Sequence, residues 1–446
     1  MALWEVVDLI EPQESEEHLR TWFIEVPRRS PEDVLARGDR FTIDIKGWVV
    51  GRHARATAVE LVYHGQLVHT TPVRGERPDL TPAFPDLDPH LDMHFHAMLG
   101  IVGLRPEFEV QIRAVLENGM RVPMGDMRVR HQPLRTGYDP VLRPIAVTCL
   151  GRSGTTWLMR MLRHHPEIVV YDRHPYEQGF AKYWMHMLRV LSQPADHINS
   201  YQEESFYNEI FQLGYNPFYD VVVSQQQEAR QWLGREYVER LGRFCQSSID
   251  DLYSTIAAAQ GQAPPIYFAE KHQWPNYVPV LMWEIYPKAK EIFMVRDFRD
   301  MVFSILAFDR KRGYPGFGRP DGVTDEEYVR GELLKMAVNL RNSWFTRKDR
   351  AHLVRYEDLI CKPAETAHGI LSYLELDASE EHVTRLLAAG AADSPEVREH
   401  RTLERAEESI GRWRREGDER FREFCNEVFE EVLGDFGYSD VEYVGQ

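Results

Sequence analysis

Cysteine is scarce: the chain has four in 446 residues, Cys149, Cys245, Cys361 and Cys425, widely scattered and with no C-x-x-C pair. That spacing suggests neither a disulfide framework nor a thiolate zinc site, and it suits a reducing cytoplasm. Long apolar runs are missing too. Nothing approaches the ~18 consecutive apolar residues of a membrane helix, and the start, "MALWEVVDLIEPQESEEHLR", lacks the basic opening and apolar centre of a signal peptide. Positive charge is in deficit, with 53 Lys plus Arg against 70 Asp plus Glu and a net charge of -17. A general affinity for nucleic acid or anionic membrane is thereby excluded, and any anion site has to be local.

What is present is ordinary globular material, 43% hydrophobic, in a length that accommodates two or three domains. From about Arg40 to Arg130, "FTIDIKGWVVG", "TAVELVYHGQLVHTTPV" and "EFEVQIRAVLENGMRVPM" alternate apolar and polar residues around the turn signals "HG" and "ENG". This pattern predicts a small all-β sandwich over residues 1–135. The aperiodic, Pro- and Gly-bearing stretch from Gln132 to Arg143 reads as a linker. Beyond it, over residues 140–446, the apolar runs "IAVTCL", "PIYFAEK", "EIFMVRD" and "HLVRYEDL" each precede helical spacing, the alternation of an α/β parallel sheet flanked by helices. Residues 183–264 carry helical spacing between the first two runs and are expected to form a helical cap.

"VTCLGRSGTTWLMRML" runs from strand to helix through a Gly-Ser-Thr turn. Such a turn aims successive backbone N–H groups and the positive end of a helix dipole at one point, which is an anion cradle. Gly151 and Gly154 permit close approach, Ser153, Thr155 and Thr156 offer hydroxyls, and Arg152 adds charge. The loop lacks the Gly-Lys pair of magnesium-dependent nucleotide hydrolases. Taken alone, the turn could also be a simple helix cap. A second apolar run, "IFMVRDFRDMVFSIL", ends in Arg296, with Ser304 in the following helix. That corner could equally be a salt-bridged one, with Arg296 and Arg299 paired to Asp297 and Asp300.

Together, "GRSGTTWL" and the Arg296–Ser304 corner resemble the two nucleotide-binding signatures of the sulfotransferases that use 3′-phosphoadenosine 5′-phosphosulfate (PAPS) and release PAP. "EKHQWPNY", "RYEDLICKP", "SIGRWRRE" and "FGYSD" follow in the family's order, so the resemblance spans Pro144 to about Asp440. It implies a P-loop-type fold, PAPS as cosubstrate, and phosphosulfate contacts from Gly151 to Thr156 with Arg152 as the charged member. It further implies 3′-phosphate contacts from Arg296 and Ser304, a second basic residue in Lys271, and an aromatic neighbour in Tyr356. Arg412, Arg414 and Arg415 loosely resemble the glycine-containing 3′-phosphate loop. Phe298 departs from the family, which usually has Pro or Gly there.

Transfer to an acceptor hydroxyl needs a base. By the resemblance Asp172, His174 and Glu177 of "YDRHPYEQ" stand in the right region, with Asp172 and His174 ahead of Glu177 and with His272 as a further candidate. Each could instead be a surface ion pair or a packing residue. Asp92, His94 and His96 of "DMHFH" could share a strand face, but no further metal ligand is marked and no metal site is expected. "RPDLTPAFPDLD" beside "GWVVG" resembles a β-sandwich module of bacterial glycan-modifying enzymes. The expected acceptor is thus a glycan or other small hydroxyl compound. The alternatives are a P-loop kinase or hydrolase, or a glycan-binding protein whose sulfotransferase domain is inactive.

Overall fold

The computed structural model describes residues 2–10, 12, 17–27, 37–38, 40–80, 82–88, 90–192, 228, 232–272, 278–391, 398–399 and 401–438, without the side chains of 233, 234, 278 and 279. The chain divides into two compact units, Met1–Tyr138 with Trp184–Gln246, and Asp139–Tyr183 with Ser247–Gln446.

The first unit is built on antiparallel strands β1 (Trp4–Ile10), β2 (Leu19–Val26), β3 (Arg37–Gly38), β4 (Thr42–Gly51), β5 (Ala56–Tyr63), β6 (Gln66–Pro72), β7 (His94–Gly100), β8 (Glu107–Leu116) and β9 (Arg121–His131). One sheet runs β3-β1-β9-β8-β5-β6 and the other β2-β4-β7. Alternation decides which face is buried. Phe108, Val110, Ile112, Ala114 and Leu116 of β8 all point inward, while the intervening charged residues pair across strands, Arg128 with Glu109 at 2.7 Å and Arg130 with Glu107 at 3.0 Å. His64 and Gly65, at φ of 48° and 75°, form the two-residue turn that joins β5 to β6. Strands β1 to β3 precede the stretch in which the sequence pattern becomes regular.

In the second unit β10 (Arg143–Thr148), β11 (Ile168–Val169), β12 (Tyr267–His272), β13 (Lys290–Val295) and β14 (His352–Arg355) form a parallel sheet ordered β11-β12-β10-β13-β14. Both faces are covered. Ile292 and Met294 of β13 pack into one apolar cluster with Leu158 and Leu371, and Phe293 and Val295 into another with Phe298 and Phe429. Burial on both sides explains why these strands read as unbroken apolar runs. The departure at Phe298 is thus a core residue. β10 is central, with β12 on one side and β13 on the other, so the chain changes direction there. The carboxyl ends of β10, β12, β13 and β14 then share one edge, where open α/β sheets bind ligands.

Of the expected cap, the helix Phe180–Ser192, a π-turn at Trp232–Glu236 and the helix Tyr237–Ala259 are helical. Residues 193–227, with the aromatic stretch "FYNEIFQLGYNPFYD", lie outside the described residues. Among the described residues no helix is long and apolar enough to cross a membrane.

Candidate functional site

β10 ends at Thr148, and the chain turns through Cys149–Gly154 into the helix Thr155–Arg163. Gly154 sits at the helix start with φ of 82°, and a Cβ there would run into the Tyr356 ring. Its hydrogen therefore serves both a left-handed turn and a close approach. Arg152 holds φ of 67° without being glycine, a strained conformation of order 1–3 kcal/mol that the surroundings have to impose. Ser153 Oγ donates to the Leu150 carbonyl at 2.5 Å and locks the turn. Arg152 Nε donates to Ser304 Oγ at 3.1 Å, and the guanidinium lies 4.6 Å from the Phe308 ring centre. Burial, and then the like charge of Arg296, bring Arg152 down to about 10.

The end of β13 supplies Arg296, 4% exposed. It donates to the carbonyls of Arg152 and Ser409, each at 2.8 Å, and lies 4.5 Å from the Tyr356 ring centre. Its buried Nε has no hydrogen-bond partner among the described residues. The salt-bridged corner suggested by sequence holds only for the neighbour: Arg299 pairs with Asp297 at 2.8 Å, while Asp300 accepts the amides of Gly411 and Trp413.

β12 supplies Lys271, whose Nζ is 2.8 Å from Glu177 Oε1 and 3.1 Å from the Pro175 carbonyl. The preceding residue, Glu270, is buried and accepts the amides of Ala181 and Lys182, which fixes the helix after Glu177 to the same strand. The candidate bases separate. His174 and Glu177 line the same cavity as Lys271 and Arg296. Asp172 is not among its lining residues, and its carboxylate pairs with Arg163. His272 is 1% exposed and does not line the cavity either, and burial holds it down at about 3.

The cavity occupies about 710 Å³, a size suited to a nucleotide-sized ligand. Gly151, Arg152, Gly154, Thr155 and Thr156 line it, as do Ser304 and Tyr356; Ser153 is turned inward and Arg412 is absent. Arg412 instead braces the chain, donating to Glu416 at 2.6 Å and to Thr402 at 2.9 Å. Arg160, Arg312, Arg401 and Arg405 also line the cavity, and among its lining residues Glu177 is the one carboxylate. Sequence reasoning did not select these four arginines or Ser409; the basic tract at 401–415 was the signal available. Asp92, His94 and His96 do not converge. Asp92 meets Arg55 at 2.7 Å and His96 meets Asp44 at 3.0 Å, and among the described residues no group of metal-binding side chains is assembled.

Comparison with known proteins gives three kinds of likeness. A family model described as "Sulfotransferase family" matches residues 144–380. A Caenorhabditis elegans protein named "Putative protein-tyrosine sulfotransferase" is 34% identical over 97 residues, 22% of this chain and 35% of that protein, so the match spans about a third of the relative's length. Among solved structures, a sulfotransferase domain from the curacin biosynthetic pathway is 14% identical, with 68% of this chain and 99% of that one covered at a TM-score of 0.40. Sulfotransferase STF9 from Mycobacterium avium is 14% identical, with 68% and 79% covered at a TM-score of 0.35. Mouse sulfotransferase SULT7A1 complexed with PAP is 12% identical, with 67% and 86% covered at a TM-score of 0.36.

Proposed function

This chain belongs to the sulfotransferase family, whose model covers more than half of it, and on that premise we propose that it transfers the sulfuryl group of PAPS to an acceptor hydroxyl. The observation that carries the reading is the buried Arg296 with its unpartnered Nε, set beside a glycine cradle in a cavity rich in cations. The donor set fits a nucleotide with phosphates at both ends. The Gly151–Thr156 turn and Lys271 suit the phosphosulfate, and Arg296 with Ser304 suits the 3′-phosphate. PAPS supplies an activated sulfuryl group: its bond to the phosphate oxygen breaks as the acceptor oxygen forms the new one.

The protein's part is to neutralise the phosphate as it departs and to take the acceptor proton. Lys271 and Arg152, with the helix N-terminus at Thr155 and Thr156, serve the first task through charges and dipoles that are already oriented. Glu177 serves the second, since its carboxylate lies in the cavity beside Lys271. His174 is the alternative base on the same wall. A kinase or hydrolase reading is disfavoured by the missing Gly-Lys pair, and an inactive relic by the retention of Arg152, Lys271, Arg296 and Ser304. The acceptor is read as a carbohydrate or natural-product hydroxyl, from the likeness of the N-terminal sandwich to glycan-linked modules. The name of the nematode relative makes peptide tyrosine the competing acceptor. A cytoplasmic location is part of the proposal, supported by four free cysteines.

The test is transfer of label from PAPS to panels of glycans, phenols and tyrosine peptides with magnesium chelated. Label should appear on members of one panel. Folded protein that neither binds PAP nor labels any panel overturns the reading.

A further inference from the structure

Asp300 is 1% exposed, lies on the helix Phe298–Arg312, and does not line the cavity. Its two carboxylate oxygens nevertheless accept from two distant backbone amides, Gly411 N at 2.8 Å and Trp413 N at 2.9 Å. Gly411, at φ of 63°, starts the short turn Arg412–Arg414. The Arg299 guanidinium lies 4.1 Å from the Trp413 ring centre and grips the same turn from the same helix.

Two connections run from this anchored turn to the cavity. Arg412 reaches back to Thr402 Oγ1 at 2.9 Å. Ser409, two residues before Gly411, accepts from Arg296 through its carbonyl at 2.8 Å and shares a 2.8 Å hydrogen bond with the Tyr356 hydroxyl. Arg401, Thr402, Arg405 and Ser409 form one wall of the cavity. The helix that carries Ser304 holds this stretch at both ends, through Asp300 at 411–413 and through Lys311, whose Nζ donates to the Arg401 carbonyl at 2.8 Å.

We infer that Asp300 is a positioning residue: by holding the amides of Gly411 and Trp413 it sets the wall of Arg401, Arg405 and Ser409 against Arg296, and so governs how tightly the cavity holds a nucleotide. This rests on the PAPS reading for its ligand but not for its mechanics. Burial pushes the carboxyl up to about 6, with the positive Arg296 opposing and the negative Asp297 adding to the rise. The charge of Arg296 and the two amide hydrogen bonds are what offset the burial of this carboxylate.

Amide hydrogen exchange and PAP calorimetry on the full chain test it together. In the wild type, the amides of Gly411 and Trp413 should be strongly protected without nucleotide; exchange at unprotected rates would overturn the inference without any variant. Asp300→Asn keeps the size but loses one acceptor oxygen. It should raise exchange across 409–415 while leaving β13 protected, weaken PAP about tenfold, and raise the KM for PAPS with kcat within about threefold. Asp300→Glu should recover part of the affinity. Unaltered exchange at 409–415 and unaltered PAP affinity in a folded Asp300→Asn protein would overturn it. If the wild type binds no PAP yet Asp300→Asn still frees 409–415, the nucleotide reading falls and the positioning role stands.

Discussion

The arginines on the outer face of the β unit and Arg296 at the cavity of the α/β unit are used in opposite ways. On the outer face of the β unit, arginines meet carboxylates: Arg128 meets Glu109, Arg130 meets Glu107, and Arg113 and Arg121 share Glu60. In the α/β unit, Arg296 meets two carbonyls and an aromatic face, and it has no ion pair among the described residues. A buried guanidinium held without a carboxylate is costly unless an anion arrives to complete it. The contrast teaches where a protein of net charge -17 has set positive charge aside. The surface ladder closes its own charge balance, whereas the cavity leaves its balance open.

The largest expected effect lies with the proton. Glu177→Gln should lower turnover by ~10²–10⁴-fold while PAP affinity changes little, because product nucleotide has no acceptor proton to lose. His174→Gln replaces it as the damaging change if the alternative base is correct, and Asp172→Asn should leave turnover near wild type. Steady-state rates beside calorimetry separate these outcomes.

Next comes the open cation. Arg296→Ala should weaken PAP by about one to two decades, the value of a charge-assisted contact of ~1.5–3 kcal/mol.

A smaller effect separates buried acids from solvated ones. Burial raises Glu357 to about 7 from an ordinary 4.5, against hydrogen bonds from Tyr438 and the Asp297 amide. Its contribution to stability is full below about 4.5 and is lost as pH rises through about 7. Glu357→Gln should flatten that part of the stability profile in chemical denaturation; an identical slope would show that other groups set it.

The smallest effect belongs to the ladder. Arg130→Ala should change stability by no more than about 1 kcal/mol and leave PAP affinity untouched.

The comparison also marks how far the sequence was legible. Strands buried on both faces wrote themselves as "IAVTCL" and "EIFMVRD", and the ladder strands as clean alternation, because burial acts directly on residue choice. β11, two residues long, and β1 to β3 carry too little pattern to stand out. In the site, the turn and Arg296 were legible because backbone geometry demands glycine and a strand-end position. Position in the sequence does not separate Asp172 from Glu177; in the fold Glu177 meets Lys271 and Asp172 meets Arg163. Arg312 reaches the cavity through tertiary packing that no local spacing announces, and for Arg401 and Arg405 the basic tract at 401–415 is the local sign.

The most direct test of the account is calorimetry of PAP with the full chain, magnesium chelated, run in parallel on wild type, Arg296→Ala and Arg130→Ala. The account predicts saturable binding to the wild type, unchanged in Arg130→Ala and weakened by about 10- to 100-fold in Arg296→Ala. Folded wild type without PAP binding, or Arg296→Ala binding as tightly as wild type, would contradict it.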